Sequence, residues 1–77
     1  MAEVQFEVLP FGDRWAVLKE VRQLSMHRSF QSALSAAEQA AARQQAGGAD
    51  CRILVRDRAG EWRETPCPDI FDYVLDL

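Results

Sequence analysis

Residues 29–48 read SFQSALSAAEQAAARQQAGG, and the fold class turns on them. Ala, Leu, Glu, Gln and Arg, all strong helix formers, fill nearly every position after Ser32. Ser32 is a candidate N-cap, since its hydroxyl can accept from an early helical N–H. Gly47 and Gly48 end the run, one of them supplying a left-handed terminal residue. About 13 residues at 1.5 Å each give a helix of roughly 20 Å, the span of one β-strand. Ala33, Ala36, Ala37, Ala40, Ala41 and Gln44 share one side. A stripe made almost wholly of alanine lets the helix sit close to a partner layer but fills little of it. The volume must come from large residues opposite, for which Phe6, Trp15, Phe30, Ile53, Val55 and Trp62 are the candidates.

The partner layer is legible on both sides of the helix. In EVQFEVL (3–9), Val4, Phe6 and Val8 alternate with Glu3, Gln5 and Glu7, the period of a half-buried strand. Pro10, Gly12 and Asp13 supply a turn. In RWAVLKE (14–20), Trp15 and Val17 point one way and Ala16 and Leu18 the other, so both faces are apolar, as in an interior strand. Residues 22–28 alternate more weakly, with Leu24 and Met26 against Gln23, Ser25 and His27.

CRILVRDRAGEWRE (51–64) supplies a final hairpin. Cys51, Ile53 and Val55 alternate with Arg52, Leu54 and Arg56, and Asp57 with Gly60 suits a turn. A two- or four-residue loop sets Val55 opposite Trp62 and Arg56 opposite Glu61; a three-residue loop puts Trp62 with the arginines. The first register buries the indole and pairs opposite charges, so it is the expected one. It leaves Arg52 and Arg63 uncommitted on the outer face. In PCPDIFDYVLDL (66–77), a helix capped by Asp69 would align Ile70, Phe71, Val74 and Leu75. A strand would instead align Phe71, Tyr73, Leu75 and Leu77. Asp69 following Pro68 favours a short helix.

The expectation is an α+β domain over residues 1–65: an antiparallel sheet of four to five strands in the order β-β-β-α-β-β, with one alanine-rich helix on one face. Residues 66–77 form an acidic-apolar C-terminal segment that packs on the domain or on a partner. At 77 residues there is room for one domain and little room for a deep cleft. The net charge of −3 argues against a dedicated nucleic-acid binder. Charge nevertheless segregates, with a basic middle and an acidic tail. Two cysteines, sixteen positions apart, and one histidine fall short of a four-ligand zinc site. No metal or cofactor is expected. The first residues lack the basic and apolar regions of a signal peptide, and no apolar run reaches membrane-spanning length. Cytoplasmic residence with reduced thiols and no membrane association is the expectation.

GDRWAV (12–17), FQSALSA (30–36) followed by Ala40, and ILVRDRAGEW (53–62) occur in an order that resembles a small bacterial family catalogued as domain of unknown function 2188. The resemblance covers roughly residues 4–65 and implies the strand-rich, single-helix fold just described. It implies no activity. Ser35 stands where a Glu is common in the family, which weakens the capping box, and the tail from Pro66 lies outside the pattern.

A sheet of this size covered by one helix leaves a face open. Ala16, Leu18 and Leu54 point away from the helix, and the tail adds Ile70, Phe71, Tyr73, Val74 and Leu75. These residues are the candidate protein-interaction surface, for a second copy or another protein. The alternative is nucleic-acid contact through Arg52, Arg56, Arg58 and Arg63. Catalysis has weaker footing. His27 has Ser25 and Ser29 nearby but no evident third group, and Cys67, between two prolines, reads as an inert surface thiol. Cys51 reads as a small core residue. A non-enzymatic interaction module is the expected function.

Overall fold

The computed structural model describes residues 3–67 as a five-stranded sheet with one helix on one face. In chain order the elements are β1 (Glu3–Phe11), β2 (Arg14–Lys19), β3 (Arg22–His27), α1 (Phe30–Ala46), β4 (Asp50–Arg56) and β5 (Trp62–Thr65). The element order is the expected one. The tail residues Ile70, Phe71, Tyr73, Val74 and Leu75, with the choice between helix and strand, lie outside the described residues.

The sheet order is β3-β2-β1-β4-β5, and every neighbouring pair is antiparallel except β1 and β4, which are parallel. The parallel pair follows from the helix. β3 runs in the direction of β1, α1 carries the chain back across the sheet, and β4 must then start from the same end as β1. β1 continues through Pro10 to Phe11, so the turn is confined to Gly12 and Asp13, with Gly12 at φ 64°. Pairing with β4 stops at Val8, and Pro10 is opposite Trp15 of β2 only. A residue without an N–H is tolerated there because that edge has no further strand to receive one.

The second hairpin is tighter than its sequence suggests. Lys19 pairs with Arg22, leaving only Glu20 and Val21 in the turn, both with positive φ (49° and 67°). Such turns match the twist of antiparallel strands but normally carry Asn or Gly. A β-branched residue in this region is strained. Val21 is also 87% exposed, so no packing compensates for the strain.

The helix begins three residues earlier than expected. Ser29, in an extended conformation, is the N-cap, and its hydroxyl accepts from the N–H of Ser32 at 3.2 Å. Ser32 is not the cap because it already lies in the first turn, with its own hydroxyl 2.9 Å from His27 Nδ1. At the other end Gly48 is left-handed at φ 93°. Its N–H donates to the Gln45 carbonyl at 2.9 Å and that of Ala49 to the Gln44 carbonyl at 3.0 Å, a Schellman closure.

The core lies between this helix and the sheet. Ala33, Ala37 and Ala41 meet Phe6, Val8, Val17, Ile53 and Val55. Trp15 and Phe30 close one end edge to face, with ring centroids 5.1 Å apart. Trp62 does not join them. It is 47% exposed and opposite Arg56, which puts it on the far face.

Two stability measurements check this packing. Ala37→Leu inserts three carbons where the alanine is fully buried and lowers unfolding stability by about 1–3 kcal/mol in urea titration; an unchanged midpoint would place that face in solvent. Val21→Gly relieves the left-handed turn and raises stability by about 1 kcal/mol, net of the entropy glycine adds to the unfolded chain.

Candidate functional site

Strand alternation builds the face away from the helix. With Phe6, Val8, Val17, Ile53 and Val55 turned to the core, the intervening residues form two rows across the sheet. One row runs Met26, Ala16, Leu9. The next runs Gln23, Leu18, Glu7, Leu54, Glu64 across all five strands. Ala16, Leu18 and Leu54 therefore point to one side, and Leu9, Met26 and Trp62 enlarge it; Ala16 itself is buried at 3% exposure, so the half-buried Leu18 and Leu54 carry that surface. Leu9 could have been found by parity, since it follows Glu7 by two residues. Trp62 could not, because its side depends on the hairpin loop.

That loop has three residues, Arg58, Ala59 and Gly60, with Gly60 at φ 91°. The Asp57 N–H donates to the Glu61 carbonyl at 3.0 Å and the Gly60 N–H to the Asp57 carbonyl at 3.0 Å. The returning N–H of Glu61 is received by the Asp57 side chain, Oδ1, at 3.0 Å. A turn closed by a left-handed glycine and a side-chain acceptor outweighs burial of the indole, so the expected register is corrected. Arg56 faces Trp62, and Val55 faces Arg63.

The new register redistributes the arginines. Arg52, on the open face, donates through Nε to Glu64 at 2.8 Å and lies 3.9 Å from Glu3. Glu64's hydrogen bond and charge push its pKa further up. Arg56 stacks over Trp62, 6.0 Å from the ring centroid. Arg58 leaves the loop to cover Trp15 at 5.1 Å and donates to the Gly12 carbonyl at 3.0 Å. Arg63 turns to the helix side, 3.4 Å from Asp57 Oδ2. The four guanidiniums thus diverge onto two faces, each with an acid, a ring or a carbonyl beside it. Arg52 and Arg63, expected to be uncommitted, are both in ion pairs. Each pair is solvent-exposed and, screened by water, contributes little to stability. Their effect is to neutralise the basic stretch locally.

On the helix side, α1 packs against β1 to β4 and stops short of β5. The gap is a cavity of about 430 Å³ with an apolar floor of Trp15, Phe30 and Val55 and a rim of Asp57, Arg58, Arg63 and Thr65. Among the described residues its polar lining groups are the Asp57 carboxylate, the Thr65 hydroxyl and the guanidiniums of Arg58 and Arg63. His27 lies elsewhere. Its Nε2 is 2.8 Å from Ser25 Oγ and its Nδ1 is 2.9 Å from Ser32 Oγ. It is half-buried and ties edge strand β3 to the first turn of α1. Among the described residues both its partners are hydroxyls, and none supplies a carboxylate to orient the ring as in a Ser-His-acid triad. Among the described residues no cluster of His, Cys, Asp or Glu could hold a metal ion, and no helix is long and apolar enough to cross a membrane. Cys67, read as a surface thiol, is half-buried and packs against the same core cluster as Cys51.

Asp57 holds the hairpin in its register, and acid should reveal this. The Glu61 N–H is the main cause that keeps its carboxyl below the usual carboxylate range. Depressed in the folded state, it contributes stability that is complete above the unfolded pKa and disappears as pH falls through the folded one. The urea midpoint therefore declines as pH falls through and below the ordinary aspartate range, and Asp57→Asn removes part of that decline; an identical acid limb in the variant would refute the role.

The open face is the candidate site, because it is the one broad surface where apolar residues and opposite charges meet without cover from the described chain. No family model matches the chain, and no curated protein or solved structure matches it significantly.

Proposed function

We propose that this chain is a non-enzymatic protein-interaction module that pairs with a second copy of itself through the open sheet face. The observation that carries the reading is the polarity of that face along the strands. Glu3 and Asp50 lie at the end where β1 and β4 begin, beside Arg52, which bridges Glu3 to Glu64 of the middle row. Arg14, Arg56 and Trp62 occupy the opposite end, with Phe11, the last residue of β1 and 65% exposed, opposite Arg14. Leu9, Ala16, Leu18 and Leu54 lie between. A two-fold axis normal to the strands sets the acidic end of one copy on the cationic, aromatic end of the other, which is the self-complementarity an isologous interface requires. The described residues measure 33 × 29 × 19 Å, and the broad face is large enough for the roughly 800 Å² per partner that stable interfaces bury.

The divergence of the arginines supports this reading over nucleic-acid contact. Phosphate binding draws on several uncompensated cations on one surface, and here each of the four hairpin guanidiniums already has a neighbour. The same proposal keeps the chain in the cytoplasm, on the composition of its sequence.

Sedimentation velocity tests it. The coefficient should rise with concentration, and Leu18→Asp should hold the protein monomeric with its circular dichroism intact. Glu7 stands between Leu18 and Leu54 in the middle row, so the axis brings two copies of its carboxylate together. Glu7→Gln should therefore tighten the dimer by about 1 kcal/mol, or several-fold in Kd. A strict monomer at every concentration, or retardation of DNA that falls steeply with salt, would overturn the reading.

A further inference from the structure

Cys51 opens β4 on the helix side of the sheet, and its thiol donates to the Ala41 carbonyl of α1 at 3.2 Å. Cys67 lies two residues past β5 and packs against the same core cluster. The ladder between the two strands relates these positions. Val55 is opposite Arg63 and Ile53 opposite Thr65; the same register carried two residues further, past Pro66, sets Cys67 opposite Cys51. Alternation places both on the side of Ile53. Directly opposed residues in an antiparallel pair lie about 4.5–5.5 Å apart at Cα, inside the roughly 4.4–6.8 Å that a disulfide spans. Both thiols are free.

We propose that Cys51 and Cys67 form an oxidation site, at which a low-molecular-weight disulfide converts the two thiols into an intramolecular bond fastening the chain after β5 to the start of β4. The thiolate of one cysteine attacks the oxidant, forming a mixed disulfide and releasing one small thiol. The second cysteine, deprotonated, then attacks the protein sulfur of that mixed disulfide and releases the other small thiol. Two cysteine thiols have lost two protons and two electrons, and the oxidant has become two thiols. Burial pushes both thiols above the ordinary cysteine value, with Asp50 adding to the effect at Cys51 and Cys51 itself at Cys67. The effect of Cys51 on Cys67 agrees with their proximity. Because the thiolate is the attacking species, the reaction accelerates as pH rises. The site does not depend on the pairing of two copies, since the helix side of the sheet is away from the proposed interface.

The test is incubation of the native protein with oxidised glutathione, followed by acid quenching and intact mass measurement without reductant. The expected product is a monomer lighter by two hydrogens, without a glutathione adduct, whose digest contains one linked peptide pair joining Cys51 to Cys67. Cys51→Ser and Cys67→Ser should each stop at a single glutathione adduct. The cross-link should form at least roughly tenfold faster in the folded protein than in urea, because the ladder holds the partners together. Native protein carrying glutathione on both cysteines, an unreactive native protein, or a cross-link no faster than in urea would each overturn the proposal. The sedimentation result is independent of all three.

Discussion

The alanine stripe of α1 is the contact on which the rest of this architecture depends. Ala33, Ala37 and Ala41 are fully buried against Phe6, Val8, Val17, Ile53 and Val55. Small side chains let the helix axis approach the sheet while the strands supply the volume. A single helix of this kind is narrow. It packs against four strands and leaves the fifth uncovered, so the protein has a well-filled centre, an open groove above β5 and an entire opposite face that the described chain does not shield.

Much of this can be read from the sequence, for local reasons. The period of two in residues 3–9 and the alanine run ending in two glycines each specify an element without help from elsewhere. So does the double-sided apolar pattern around Ala16 and Leu18, which the structure places as read. What could not be read depends on relations between elements. Glu20 and Val21 carry no turn signal, yet the pairing of β2 with β3, bulged between Val17 and Leu18, compels them into a left-handed turn. Either Ser29 or Ser32 could cap the helix in isolation. The choice goes to Ser29 because His27, held by β3, engages Ser32.

The largest revision, the side occupied by Trp62, shows how one polar group can outweigh a large ring. Burial of an indole is worth more than any single hydrogen bond in the hairpin, so hydrophobic pattern alone favours turning Trp62 inward. That gain depends on space beneath the helix. Here α1 does not reach β5, and inward positions on that strand are occupied by Arg63 and Thr65 at the rim of the groove. With no helix above β5 to cover it, an inward indole would lie on the open floor of the groove and gain only part of its burial energy, and the turn chemistry of Asp57 and Gly60 decides the register. Trp62 then takes Arg56 as its cover on the open side.

The shortness of the helix layer therefore connects features that look separate along the chain. It frees β5 to place its indole on the far face, where it becomes part of the candidate interface. It lets Arg63 turn inward to Asp57 and divides the hairpin arginines between two surfaces, removing the concentrated positive charge that phosphate recognition would use. It also leaves room beside β4 for Cys67 to return to the core next to Cys51. Lengthening cover over β5 with a larger helix would bury the groove, and would also force the hairpin into the other register and bring the arginines together on the outer face. The candidate surfaces of this domain are thus consequences of an alanine helix too slender for its sheet.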